Sequence, residues 1–161
     1  MNLTSAAFKN GGTVPKQYTC DGAGFNPPLS ISGVPEGTQS LALIVDDPDV
    51  PKRLKPDGVF DHWVLFNILP GVTEISENAA PGAMPGVRGV NGRGALGYVP
   101  PCPPPHYDPS EHRYVFTLYA LDEELDLSEG ATKEHVLEAI RGRAAEHIIE
   151  AAQLIGTYRR Q

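Results

Sequence analysis

Apolar and polar positions follow a strand period through most of the chain, and the period changes only towards the C-terminus. From Ser40 to Asp47 (SLALIVDD) an unbroken aliphatic and β-branched run suits a central strand buried on both faces. Pro48 and Pro51 forbid its continuation. His62 to Ile68 (HWVLFNI) places His62, Val64, Phe66 and Ile68 on one face and Trp63, Leu65 and Asn67 on the other, and it ends at Pro70 and Gly71. His112 to Leu121 (HRYVFTLYAL) alternates His112, Tyr114, Phe116 and Leu118 against Arg113, Val115, Thr117 and Tyr119; apolar on both faces, it reads as an inner strand. From Thr132 onward Val136, Ile140, Ala144, Ile148, Ala152 and Ile155 recur near helical spacing. Thr132 suits an N-cap, and Gly142 in mid-pattern predicts one kinked helix or two short ones. The expectation is a mainly β domain with a helical C-terminal part packed on a sheet.

Between the second and third of these strands, positions 81–109 hold eight Pro and six Gly, too many for the interior of any element. Long connections of this kind in a compact domain are usually functional or disordered, and Tyr98, Cys102, His106 and Tyr107 give this one side chains worth ordering. We expect a functional loop. Its glycines resemble a phosphate cradle in composition, but GVNGRG and GRGALG match neither a P-loop nor a dinucleotide fingerprint.

The chain has 161 residues, which predicts a single domain over 1–161. Thirteen basic against twenty acidic residues give −7, a balance that argues against a nucleic-acid partner. No run reaches the roughly 18 apolar residues of a transmembrane segment, and the start lacks the pattern of a secretory leader, so a cytoplasmic protein is expected. The two cysteines, Cys20 and Cys102, form no metal-binding spacing. In a reducing compartment two free thiols are the expectation; a bridge requires the fold to bring their Cα atoms within about 7 Å.

Three polar residues stand at the ends of the strong strands: Asp47 closes the first, His62 opens the second and His112 opens the third. If the strands are sheet neighbours, a carboxylate and two imidazoles meet beside the Pro- and Gly-rich loop. Imidazolium N–H groups would suit a phosphate or carboxylate. Two His and a carboxylate also match a metal site, although close pairs such as HxH or HExxH are absent. A third alternative is acid–base catalysis with the carboxylate orienting an imidazole. Cys102, flanked by prolines, reads as a lining residue rather than a nucleophile. His106, His135 and His147 read as solvated, and so do Arg88 and Arg93, although the two arginines stand where they could guide an anion.

The ordered series DDPDVP (46–51), DHWVLFNI (61–68), GYVPPCPPP (97–105), HRYVFTLYALD (112–122) and LIGTYRR (154–160) closely resembles the phosphatidylethanolamine-binding protein family, in its bacterial and archaeal Raf-kinase-inhibitor-like branch. VPKQYTCDG (14–22) and the segment after it fit the same branch. The resemblance implies a β-sandwich of two antiparallel sheets with a helical C-terminal part and a small anion pocket at one end of the larger sheet. Matched motif by motif, it places Asp47 and Asp49, His62, His112 and Tyr114 at that pocket, with Pro100, Cys102 and Pro103 on its rim. It implies phosphate, a phosphoethanolamine headgroup or a small carboxylate as ligand, no cofactor and no metal. It also implies a regulator or inhibitor of a partner such as a kinase or protease, as monomer or homodimer; the alternative is a hydrolase built on the same Asp and His residues. Val99 and Pro100 replace the glycine-containing stretch usual before the Pro-Cys-Pro run, which stiffens the rim. Tyr158 lies in the bacterial GTYRR ending rather than matching the aromatic terminal residue of animal members.

Overall fold

The computed structural model describes residues 1–142 and 147–160. In chain order the strands are β1 (Asn2–Thr4), β2 (Gly12–Thr13), β3 (Leu29–Ser32), β4 (Ser40–Asp47), β5 (Phe60–Ile68), β6 (Glu74–Ile75), β7 (Val87–Arg88) and β8 (Glu111–Leu121). Helix α1 (Lys133–Arg141) follows, then β9 (Ile148–Arg159). A small antiparallel sheet, β1-β3-β6, covers one face of a six-stranded sheet ordered β2-β9-β8-β4-β5-β7. The larger sheet is not wholly antiparallel, because β2 lies parallel to β9 through Gly12 and Thr13.

Both faces of the central strands are buried, as the unbroken β4 run requires. Leu41, Leu43 and Val45 point into the sandwich with Trp63, Leu65, Tyr114, Phe116 and Leu118, facing Leu29, Ile31 and Ile75 of the small sheet. Ala42 and Ile44 point the other way, with Val64, Phe66 and Leu121, and are covered by Val136 and Ile140 of α1. Each fully buried aliphatic or aromatic side chain contributes about 1.5–3 kcal/mol, so the two-sided burial of β4 ties the larger sheet to both layers that cover it.

Three expectations need correction. Ile68 belongs with Trp63 and Leu65 rather than with Val64 and Phe66. The pairing steps from Leu43↔Leu65 to Leu41↔Ile68, one residue too far, and Asn67 absorbs the extra residue as a bulge at φ 51°. Its side chain accepts from Leu125 N and donates to Leu125 O, both at 2.8 Å, which holds the bulge.

The helical C-terminal part shrinks to α1. Thr132 does cap it, its Oγ1 accepting from His135 N, but Gly142 at φ 60° ends the helix instead of kinking it. Ala144 lies outside the described residues. Ile148, Ala152 and Ile155 belong to β9, paired with β8 from Leu121↔Ile148 to Glu111↔Arg159. From Glu150 to Tyr158 the more buried positions of β9 are its even-numbered ones, a period of two, while Ile148, beyond a register shift, packs on the α1 side. That period is masked because Glu150 pairs with the Met1 ammonium, and because Gly156 must leave room where a Cβ would meet Val14 Cγ2 at 2.5 Å.

The cysteines are not free thiols: Cys20 and Cys102 form a disulfide with Cα atoms 5.3 Å apart. Residues 82 apart meet because Cys20 N donates to Pro101 O, docking the segment after Tyr18 on the Pro-rich stretch.

Candidate functional site

The C-terminal end of β4 and the N-terminal ends of β5 and β8 meet at one edge of the larger sheet, as antiparallel neighbours must. A second bulge lies there. The pairing jumps from Val45↔Trp63 to Asp46↔Asp61, which leaves His62 without an opposite residue and sets Phe60 across from Asp47. Bulges at such positions re-aim side chains. Here Asp47, Phe60, His62 and His112 line one cavity of about 180 Å³, closed on its other side by Val99, Pro100, Cys102, Pro103 and Pro104 and edged by Val50, Leu54 and Arg93.

The two imidazoles are held differently. His112 is buried, with Nδ1 2.7 Å from Asp47 Oδ2 and Nε2 3.1 Å from Pro109 O. Both neighbours are acceptors, so both ring nitrogens donate and the ring is an imidazolium. Burial pulls its pKa down, but the Asp47 hydrogen bond and charge, the Asp49 charge and the Pro109 carbonyl together raise it. The other Asp47 oxygen accepts from Asp49 N at 2.9 Å.

His62 Nδ1 donates to Val99 O at 2.7 Å, while Val99 N donates back to His62 O at 2.8 Å. Burial lowers the His62 pKa, so the ring is neutral near pH 7 and its Nε2 carries a lone pair. No described residue bonds that nitrogen. Phe60 and Tyr114 pack edge-on against the ring, at 4.9 and 5.1 Å between centroids.

Of the residues singled out from sequence, Asp47, His62, Pro100, Cys102, Pro103 and His112 line the cavity, while Asp49 and Tyr114 do not. The Asp49 carboxylate is turned to Arg113, accepting from its Nη2 at 2.7 Å and from its Nε and backbone N at 2.9 Å. Arg113 first holds the Asp49 carboxyl below the usual carboxylate range. Tyr114 stands behind His62, fully buried. Its hydroxyl meets no partner of proper hydrogen-bond geometry among the described residues, with the Cys102 backbone the polar group approaching it. Burial first, then Asp47, push its pKa far up, so it stays a neutral phenol.

Elsewhere Arg88 pairs with Glu129, and His147 lies between Asp122 and Glu123 rather than free in solvent. His135 Nδ1 takes part in the α1 capping box, and His106 is exposed. Phe60, Val50 and Leu54 escaped sequence reasoning because apolar lining at a strand start or in a turn carries no signal of its own. No helix of the described residues is long and apolar enough to cross a membrane. Three of the four imidazole nitrogens of His62 and His112 face carboxylate or carbonyl oxygens, which leaves His62 Nε2 as the one ring nitrogen of the pair without a partner among the described residues.

Comparison with known proteins agrees with the fold. A UPF0098 protein of Methanothermobacter thermautotrophicus is 50% identical over 163 residues, covering 99% of each chain. One of Chlamydia muridarum is 48% identical over 158 residues, covering 98% of each. Among solved structures, a putative phosphatidylethanolamine-binding protein homologue from Chlamydia trachomatis superimposes with TM-score 0.89 at 47% identity, over 99% of this chain and 97% of that one. Escherichia coli YbcL, described as a new member of the mammalian family, gives 0.85 at 27% identity, over 99% and 98%. The family's sequence profile matches residues 4–159, and with the relatives above it shows that the chain belongs to the phosphatidylethanolamine-binding protein family.

Proposed function

We propose that the cavity binds a small oxyanion, a phosphoryl or carboxylate group, and that the protein is a binding protein rather than a catalyst. The observation that carries this reading is the division of labour between the imidazoles. His112 is consumed in bracing Asp47, while His62 is held by Val99 with Nε2 left over in a cavity sized for one small group. Near neutral pH that nitrogen accepts a proton-bearing oxygen such as the P–OH of a phosphate monoanion; at lower pH it protonates and donates to a carboxylate. An acid–base enzyme would need the Asp47-oriented imidazole free to reach substrate, and its far nitrogen is bonded to Pro109 O. Phosphate, a phosphoethanolamine headgroup and acetate are the ligands to try. A regulatory effect on a protein partner, a kinase or protease by family resemblance, would follow from what occupancy does to the rim.

The test is an NMR titration of the histidine ring signals with phosphate, acetate, phosphoethanolamine and zinc, with His62→Ala for assignment. The His62 signals should move with the anions, and His62→Ala should weaken binding about tenfold, the scale of one hydrogen bond to a charged group. Affinity for acetate should rise as pH falls from 7 towards 5, since an anion beside His62 favours the protonated ring. Shifts with zinc alone would overturn the anion reading in favour of a metal site.

A further inference from the structure

We propose that Arg93 sets the charge preference of the cavity, so that it takes phosphomonoesters lacking a cationic amine in preference to the zwitterionic phosphoethanolamine headgroup. The inference rests on the reading that the cavity holds a phosphoryl group, and it concerns what that group is attached to. Both His112 N–H groups and the His62 Nδ1–H are already donated, so neither imidazole supplies a free donor to an anion near neutral pH. Arg93 does. It lines the opening, is exposed, and unlike Arg88, Arg113 and Arg160 has no carboxylate partner among the described residues.

Its position is built rather than incidental. The buried Asn91 ties the turn together, its Oδ1 accepting from Arg93 N at 2.9 Å and its Nδ2 donating to Gly97 O at 3.0 Å. Gly92 N donates to Asp61 O at 2.8 Å, and the Gly92 backbone lies so close to Phe60 that a Cβ would stand 2.8 Å from that ring. The turn is thereby clamped on a cavity wall with Arg93 next in sequence.

A phosphoryl group seated at His62 has the Asp47–His112 pair and the sandwich core behind it, so its ester substituent points outward past Arg93. An ethanolamine arm carries its ammonium into that field and finds no unpaired carboxylate among the described lining residues. Asp47 is held by His112 and Asp49 N, and Asp49 by Arg113. Arg53, stacked 4.0 Å above the Tyr107 ring, adds a second cation on the loop that gives Val50 and Leu54 to the cavity. An uncharged methyl or phenyl substituent meets instead the apolar edge formed by Val50, Leu54 and Pro104.

Calorimetric titration near neutral pH and low salt with methyl phosphate, phenyl phosphate and phosphoethanolamine decides it, using wild type, Arg93→Ala and Arg93→Glu. Wild type should bind methyl phosphate about tenfold tighter than phosphoethanolamine, the scale of one charge contact at a partly enclosed site. Arg93→Ala should narrow that ratio and Arg93→Glu should reverse it. Arg93 is exposed and its turn is held through Asn91, so both variants should fold. Equal affinities in wild type, or a ratio unchanged in Arg93→Glu, would overturn the role of Arg93 while leaving the phosphoryl site standing. If none of the three ligands binds, the anion reading of the cavity fails and this inference with it.

Discussion

Asp46 and Asp47 are consecutive residues at the end of β4, yet the strand turns them to opposite faces and into opposite chemistry. Asp47 faces the cavity, 3% exposed, and accepts one N–H from His112 and one from Asp49. Asp46 faces the α1 side, directly across the β4–β5 pairing from Asp61, and the two carboxylates share the single ammonium of Lys133. Burial pushes the Asp46 carboxyl up to about 6, tempered by Lys133 and pushed again by Asp61. One side therefore matches each acceptor with a donor, as a recognition site requires. The other ties a helix to a sheet with one cation for two acids, and it titrates. Residue type does not separate them; the supply of donors does.

The comparison breaks most visibly if Asp47 is removed. Asp47→Ala leaves His112 buried without its counter-charge, so it should cost about 3–5 kcal/mol in denaturant unfolding near neutral pH. Asp46→Ala, at a partly exposed pair, should cost below about 1 kcal/mol. Equal losses would mean that the cavity pair is no better built than the helix pair. The pH dependence follows from His112. A pKa raised above the ordinary histidine value contributes stability in full below about 6.5, and that contribution is lost as pH rises through the raised value. Asp47→Ala should abolish that alkaline decline. His112→Ala should therefore lower stability as well as binding, whereas His62→Ala should act mainly on binding.

The cavity side has a second brace, and it is covalent. Cys102 lines the cavity and is tied to Cys20 across 82 residues of chain. Cys20→Ser with Cys102→Ser, or reduction by a dithiol, should lower stability by about 2–4 kcal/mol, read as a shifted denaturant midpoint. Phosphate affinity should fall with it, because Pro101 would keep only its hydrogen bond from Cys20 N to position the rim. Unchanged affinity in the reduced protein would show that the prolines alone hold the rim. The Asp46–Asp61–Lys133 side contains no such link and should be indifferent to reductant.

The sequence made the cavity side more legible than its details. Asp47, His62 and His112 could be placed together because each ends a strand strongly marked by its apolar run, and strand ends in adjacent antiparallel pairs must converge. The bulges at His62 and Asn67 left no mark, because an extra residue in one strand shows only against its partner. The disulfide was hidden for the same reason: 82 residues separate two cysteines whose approach depends on the docking of Cys20 on Pro101. β9 reads as helix because Ile148, Ala152 and Ile155 continue the near-helical recurrence begun at Val136 and Ile140, and pairing along the whole of β8 overrides that pattern. On the helix side Asp46 and Asp61 were visible as residues. Their facing positions, which add to the burial that raises the Asp46 carboxyl, depend on the His62 bulge.

The smallest effect sharpens the contrast most. A carboxyl whose pKa rises on folding from the ordinary 3.8 to about 6 contributes stability below 3.8 that is lost as pH climbs through 6. At pH 7 Asp46 is therefore a charge that burial disfavours, only partly compensated by Lys133. Asp46→Asn keeps the shape and removes the charge, while Lys133 retains Asp61. Its stability relative to wild type should improve between about pH 4 and 7, leaving a difference of up to about 1 kcal/mol near neutrality. Thermal midpoints of the two proteins across that range measure it. A variant that is less stable at pH 7, with the wild-type pH slope intact, would mean that Asp46 is held as firmly as Asp47 and that the two faces of β4 do not differ in kind.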